Sequence, residues 1–399
     1  MGSGNPLGVM AELLAATMNA NVSGLRGSPA LVEEQVVRWL VEMLGYPSET
    51  GGVLLSGASM ANLVGLTAGV QARAGFDVRR AGWWGAGRRP VLYASTESHF
   101  SIEKAVRTLG LGTDSLRRIP VDGSYRIDLR ALDGAIAGDR AAGLHPIAVI
   151  GNAGTVNVGA FDDLDALADI AQRERMWFHV DGAFGSFAVL DPDVAGLARG
   201  MARADSLAFD LHKWMVVPIE AGAVLIRDPE AHRAAFAVSG SYVSDMPGGI
   251  GHDATTFAER GPQLTRGFRA LKVWLSLKAH GVSAYRALVR ENVAQARYLA
   301  ERVRDAPELE LLGPVPLNVV NFRFRPEALD AEALNVLNRD LVVRLQESGV
   351  AAPSHTVLDG RFSIRVCITN HRTTRSDLDL LVDATLAEGR TLLERRHPR

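Results

Sequence analysis

The run Trp177-Phe178-His179-Val180-Asp181 constrains this chain more than any other stretch. A continuous, largely apolar segment ending in a carboxylate reads as a strand covered on both faces that delivers an acid at its C-terminal end. Similar short apolar runs occur at Val91–Ser95, Ile147–Gly151, Ser206–Asp210 and Gly222–Arg227, with helical spacing between many of them. Such alternation predicts a doubly wound α/β sheet whose site lies at the carboxyl ends of its strands. Thirty-two residues after Asp181 comes Lys213, flanked by His212 and Trp214. Charges are costly so close to a core, and charges so placed usually serve chemistry.

The chemistry open to such a pair is specific. A lysine amine that loses its proton forms a Schiff base with an aldehyde, and an ionised carboxylate holds a proton on a heteroaromatic nitrogen. Those are the two needs of pyridoxal 5′-phosphate, with Lys213 for the aldehyde carbon and Asp181 for the pyridine nitrogen. Either residue alone reads as ordinary strand-end or surface charge; the pairing is what carries the signal.

The elements His179-Val180-Asp181-Gly182-Ala183 and His212-Lys213-Trp214 resemble the paired motifs of the group II pyridoxal-phosphate-dependent decarboxylases, the family of aromatic-L-amino-acid decarboxylase. The likeness runs from about residue 28 to about residue 375. It implies the fold of the pyridoxal-phosphate-dependent transferases (aspartate aminotransferase-like, fold type I): a large domain with a mostly parallel sheet over residues 1–280 and a small C-terminal α/β domain over 281–399. It also implies a homodimer with active sites at its interface. The family's N-terminal arm is expected to be short or absent.

The resemblance assigns further residues. His99, in Ser98-His99-Phe100-Ser101, matches the family's histidine that lies flat on the cofactor ring, and Ala183 would press on the opposite face. The turn Ser56-Gly57-Ala58-Ser59 opens a helix, and its backbone suits an anion, so Gly57, Ala58 and Ser59 are the expected phosphate seat. Thr155 is expected near the ring, and His212 beside it. His179, two residues before Asp181 and so on the same strand face, is expected either to orient that carboxylate or to pack in the core. Tyr242 lies in the glycine-rich segment 238–252 and matches the tyrosine that protonates the substrate carbon after CO₂ leaves. Retention of that tyrosine favours simple decarboxylation over oxidative aldehyde formation.

Two departures stand out. The family often has Asn where this chain has Asp210, and a carboxylate beside a phosphate would be repulsive unless paired or turned away. Around Arg26, where aromatic side chains often line the family's pocket, this chain has Ser23 and Leu25. The first reading of the substrate is an aromatic L-amino acid; Arg26 would suit an acidic one. The alternatives are decarboxylation coupled to oxidative deamination, and a catalytically silent dimeric member of the family.

Elsewhere the pattern is structural. Pro6–Met18 predicts an ordinary packing helix with Val9, Leu13, Leu14 and Met18 on its apolar side, and Asp162 is expected to cap the helix through Leu164, Leu167 and Ile170. Leu317–Phe324 and Phe362–Cys367 predict strands with one polar face. At 399 residues, 47% hydrophobic and 22% charged with net charge −2, the chain suits two globular domains and offers no basic face for nucleic acid. Cys367 is the only cysteine, so no internal disulfide forms. No apolar run is long enough for a membrane helix, so the expected compartment is the cytoplasm; no metal is expected.

Overall fold

The computed structural model describes residues 2–23, 27–83, 87–237, 257–327 and 329–396. They form two compact units, one of residues 3–155 with 161–286 and one of 156–160 with 287–399. In chain order the first unit carries α1 Pro6–Met18, α2 Ser28–Met43, β1 Gly51–Leu55, α3 Ala58–Arg73, α4 Val78–Ala81, β2 Pro90–Ser95, α5 Phe100–Thr108, β3 Leu116–Ile119, α6 Leu129–Ala141, β4 His145–Asn152, α7 Leu164–Glu174, β5 Trp177–Asp181, β6 Ser206–Asp210, β7 Gly222–Ile226 and α8 Pro229–Phe236. The segment α9, Ala270–Asp305, is two helices that meet at a kink at Gly281, where glycine takes φ 69° and ψ 166°, so the first of them ends there.

The seven-stranded sheet has the order β1-β7-β6-β5-β4-β2-β3. Its five strands from β3 to β6 run parallel, β7 is antiparallel to β6, and β1, antiparallel to β7, runs the same way as the five. Strands β2, β5, β6 and β7 are buried at every position, as their unbroken apolar runs require. Register fixes the site edge: Asn152 pairs with Asp181, so β4 and β5 finish together, and Asp181 pairs with Ala208, so β6 runs two residues further to Asp210. The fold is the expected mostly parallel α/β sheet.

Helix α3 crosses this sheet at unusually short range. A Cβ on Gly65 would stand 2.8 Å from Cε1 of His179, and one on Gly69 would stand 2.6 Å from Cδ1 of Trp177. The two glycines are four apart and so share a helix face, while His179 and Trp177 are two apart and share a strand face. Only residues without a side chain let the helix backbone come this close.

Two expectations are corrected here. In α1 the large apolar residues are exposed, Leu13 by 70%, and the buried ones are Gly8 and Ala11. The small side packs instead because Pro218 leaves no room: a Cβ on Gly8 would meet its ring at 2.3 Å. The side chain of Asn5 caps the helix by accepting from the Gly8 N–H at 2.7 Å.

The second unit is a four-stranded antiparallel sheet, β8 Leu309–Leu311, β9 Val319–Phe324, β10 Ser354–Leu358 and β11 Arg361–Cys367, in the order β10-β11-β9-β8, with α10 Ala331–Glu347 and α11 Arg375–Arg396. Phe322, Phe324, Leu341, Phe362 and Ile364 form its core. The polar face expected for β9 is not exposed. Arg323 pairs with Glu310 at 2.6 Å and Asn321 donates to the Asn157 carbonyl at 2.9 Å, so both are buried with partners.

The first unit is tied together by a buried ion pair. Arg266, 2% exposed, reaches Glu33 at 2.5 Å and donates to the carbonyls of Leu54 (2.7 Å) and Val22 (2.9 Å), while Glu33 accepts from the Leu54 N–H at 2.9 Å. Removing one partner leaves the other charge buried and alone. Arg266→Ala should lower unfolding stability by about 3–5 kcal/mol in denaturant titration, with the Glu33→Leu/Arg266→Met double replacement costing less than that. A loss below about 1 kcal/mol for Arg266→Ala would contradict this account.

Candidate active site

The lysine is placed by the turn that follows β6. Leu211 and His212 both donate their N–H to the Ala221 carbonyl, at 2.9 and 3.1 Å, and Trp214 stacks on Phe184 with ring centres 5.1 Å apart at 8°. Trp214 is 1% exposed, which anchors its neighbour's backbone. Nζ of Lys213 lies 2.8 Å from Oδ2 of Asp210.

Asp210 is therefore paired, and its other oxygen is also engaged. Oδ1 accepts from the Ala58 N–H at 2.6 Å, at the positive end of α3. Of the three residues expected to seat a phosphate, Ala58 thus spends its N–H on a carboxylate. Ser59 is exposed, and Gly57 faces the lysine turn, where a Cβ would meet Cε1 of His212 at 3.3 Å and Oδ1 of Asp210 at 3.4 Å. The seat is a cradle that a side chain at residue 57 would fill.

Asp181 ends β5 and is buried. Its Oδ1 accepts from the Ala183 N–H at 3.1 Å and its Oδ2 from Nδ2 of Asn62 at 2.9 Å. Both partners donate, so the group is held as an acceptor with lone pairs to spare. His179 does not touch Asp181 among these bonds. Its Nε2 meets Oδ1 of Asn62 at 2.9 Å and its Nδ1 meets Oγ of Ser206 at 2.7 Å, so it backs the carboxylate through Asn62. Burial pulls the His179 imidazole down to about 4, with the Asp181 charge acting in the opposite direction.

His99 is the N-cap of α5, its Nδ1 accepting from the Ser101 N–H at 3.2 Å and lying 2.8 Å from Oγ of Ser101. Burial holds it below the usual imidazole range; Lys213 and Lys104 act in the same direction, and Asp181 and Asp210 oppose them. The imidazole is joined to the acid by hydrogen bonds, since Ser101 lies against His99 and accepts from the same Asn62 amide that donates to Asp181. His212 is lowered too, chiefly by burial, and its Nδ1 accepts from the Ala221 N–H at 3.2 Å. Thr155 is buried and Ala183 half-buried. Tyr242 and Arg26 lie outside the described residues.

Asp162 is not a helix cap. The cap of α7 is Asp163, accepting from the Ala166 N–H at 3.1 Å. Asp162 is buried and takes the N–H groups of Ile127 and Asn152, both at 2.7 Å, and Nδ2 of Asn152 at 2.9 Å. Burial raises its carboxyl above the ordinary range against these donors. The sequence reading also passed over Asn62. Its signal was a polar residue inside α3 at helical spacing from Gly65 and Gly69, on the face those glycines mark as close-packed.

Comparison with known proteins agrees with this geometry. The family model described as the pyridoxal-dependent decarboxylase conserved domain matches residues 3–325, and the chain belongs to that family. It is 36% identical over 380 residues to the aromatic-L-amino-acid decarboxylase of Bacillus atrophaeus, covering 94% of this chain and 77% of that one. With the L-2,4-diaminobutyrate decarboxylase of Rhizobium meliloti (strain 1021) the identity is 32% over 395 residues, 98% of this chain and 76% of that one. The crystal structure of Oryza sativa TDC with PLP and tryptamine superposes with a TM-score of 0.91 at 28% identity, covering 98% and 82% of the two chains.

The donor set suits pyridoxal phosphate in kind. A buried carboxylate, a nearby primary amine, a flat imidazole and a glycine cradle at a helix N-terminus meet at one sheet edge. Among the described residues no group of histidine, cysteine or carboxylate side chains is arranged to hold a metal, and no helix is long and apolar enough to cross a membrane.

The buried histidine gives a pH prediction. The folded pKa of His179 lies below its unfolded value of about 6.5. The fold therefore favours the neutral ring, and that stability is present above pH 6.5 and lost as pH falls toward 4. Between pH 7 and 5 the parent should lose up to about 2 kcal/mol more than a His179→Gln variant in denaturant titrations; parallel losses in the two would refute a buried neutral His179.

Proposed function

We propose that this chain decarboxylates an L-amino acid, aromatic in the first instance, to the amine and CO₂, with Lys213, Asp181 and His99 as the working groups. The observation that carries the reading is that Asp181 and His99 are joined through Asn62 and Ser101 at the carboxyl edge of the sheet, while Lys213 pairs with Asp210 at the end of the neighbouring strand β6, in a chain of the pyridoxal-dependent decarboxylase family.

Bound pyridoxal phosphate supplies an electron sink for the pair left when the bond from Cα to the carboxylate breaks. The chain's own part is to hold, orient and move protons. Lys213 would be the residue that holds the cofactor's aldehyde carbon. Asp210 pairs with Nζ of Lys213 at 2.8 Å and so positions the amine. Asp181, held as an acceptor by two donors, keeps a proton on the ring nitrogen. With the cofactor bound, His99 and Ala183 would lie against the ring and exclude water, Thr155 and His212 would line it, and Gly57 and Ser59 would take the phosphate with what Ala58 can still offer. Tyr242 donates the proton that Cα receives.

The aromatic assignment is supported by the 36% identity to a protein named as an aromatic-L-amino-acid decarboxylase. An acidic substrate, which Arg26 would suit, is the competing outcome of the same test. Purified protein incubated with a panel of L-amino acids should release CO₂ and amine in equal amounts without consuming oxygen, fastest with an aromatic substrate. Lys213→Ala should lower turnover by roughly three orders of magnitude and abolish the visible band of tethered cofactor. Tyr242→Phe should divert product toward aldehyde. Substantial turnover in Lys213→Ala, or no turnover of any amino acid by the parent, would overturn the proposal.

We further infer that the working form is a cytoplasmic homodimer. The support is α1, which presents Val9 (58%), Met10 (61%), Leu13 (70%) and Leu14 (53%) to solvent, an apolar stripe of the kind that marks an interface. Light scattering should give twice the 42.8 kDa chain mass, and Leu13→Glu with Leu14→Glu should shift it toward one. A monomeric parent would refute this.

A further inference from the structure

One continuous chain of hydrogen bonds joins the two groups that would hold the cofactor ring, and its direction is fixed from both ends. Trp177 can only donate, and its indole N–H goes to Oγ of Ser206 at 2.7 Å. The Ser206 hydrogen is then free for Nδ1 of His179, at 2.7 Å, which leaves the His179 proton on Nε2 to be given to Oδ1 of Asn62 at 2.9 Å. Accepting there turns the Asn62 amide so that Nδ2 faces the site. Its two hydrogens go to Oδ2 of Asp181 at 2.9 Å and to Oγ of Ser101 at 3.0 Å. Ser101, accepting from Asn62, has its own hydrogen for Nδ1 of His99 at 2.8 Å, where the Ser101 backbone N–H also points.

We propose that Asn62 is a positioning residue that sets both ring contacts at once, holding Asp181 as an acceptor with one amide hydrogen and, through Ser101, fixing His99 with its proton on Nε2 with the other. Asn62 is fully buried, as are Ser206 and His179, and Ser101 is 2% exposed, so water does not compete for these bonds. The alternative amide orientation would set a carbonyl oxygen against the Asp181 carboxylate and a donor against the Nε2–H of His179. The amide nitrogen thus commits Asp181 and His99 to matched states: a carboxylate that accepts, and a neutral imidazole whose Nδ1 is occupied. The close packing of α3 is what brings Asn62 within reach, since any side chain at Gly65 would displace His179.

This inference rests on the assignment of Asp181 and His99 made above, and it is tested first without cofactor. The full chain, labelled with ¹⁵N-histidine, is measured by long-range ¹H–¹⁵N spectroscopy, with His99 assigned by its loss in His99→Gln. The parent should show His99 as the Nε2–H tautomer. Asn62→Asp keeps size and shape but replaces the donor by an acceptor. The Ser101 hydrogen then turns to residue 62, which leaves Nδ1 of His99 with the Ser101 backbone N–H alone, and the His99 Nδ1 resonance should shift. Cofactor dissociation, followed by absorbance, should be at least tenfold weaker in Asn62→Asp. Ser101→Ala cuts only one arm, so it should shift the His99 Nδ1 resonance and weaken cofactor binding less than Asn62→Asp does.

If Asn62 only fills space, Asn62→Asp will match the parent in both measurements, and the proposal falls. An unchanged His99 resonance in Ser101→Ala, the variant to rely on should Asn62→Asp not fold, overturns the link to His99. If the parent itself binds no cofactor, the reading of the site fails, while the histidine spectra still decide whether Asn62 governs His99.

Discussion

The approach of α3 to β5 is the constraint on which the site depends. Gly65 and Gly69 let the helix backbone rest on the rings of His179 and Trp177, and that contact carries Asn62 to the end of the strand where Asp181 emerges. A helix held off by ordinary side chains at those two positions would leave Asp181 with only the Ala183 N–H and leave His179 without a partner for Nε2. The same helix offers its N-terminus to Asp210. One element thus backs the acid at one end of the site and the lysine's counter-charge at the other.

Each strand that ends at the site carries a polar residue at its tip, and each tip is satisfied. Ser95 ends β2 and Asn152 ends β4; Nδ2 of Asn152 donates to Oγ of Ser95 and of Ser98, both at 3.1 Å, and to Asp162. Asp181 and Asp210 end β5 and β6 with the partners described above. Unsatisfied polar groups at this depth would each cost on the order of 1–3 kcal/mol. Because their bonds join neighbouring strand ends and α3, the network holds the site's geometry as well as its charge.

Asp210 shows how this chain departs from its family while keeping its chemistry. A carboxylate near a phosphate seat is repulsive in isolation, yet here it is held by a backbone N–H at a helix N-terminus and by Lys213. The negative charge is thereby shared with the Lys213 amine and the start of α3. The pairing gives Lys213 a charged partner at 2.8 Å that an asparagine would not supply.

The sequence by itself determined the alternation of buried strands and helices, the strand ends at Asp181 and Asp210, and the lysine turn. These follow from local apolar runs and from residues whose chemistry is rare in a core. It also determined the family, through two short motifs 32 residues apart. Only the tertiary structure decided which partners those residues have. The outward face of α1 was set by the Pro218 ring, which admits glycine and no larger residue, although the helical periodicity pointed the other way. Asp162 lost its expected cap role to Asp163 because its carboxylate is drawn inward to two backbone N–H groups, one of them 35 residues away. Asn62 was legible only as a polar residue in a helix. Its bonds to Ser101, His179 and Asp181 span 39, 117 and 119 residues, and no local pattern specifies contacts that exist only once helix and sheet are packed.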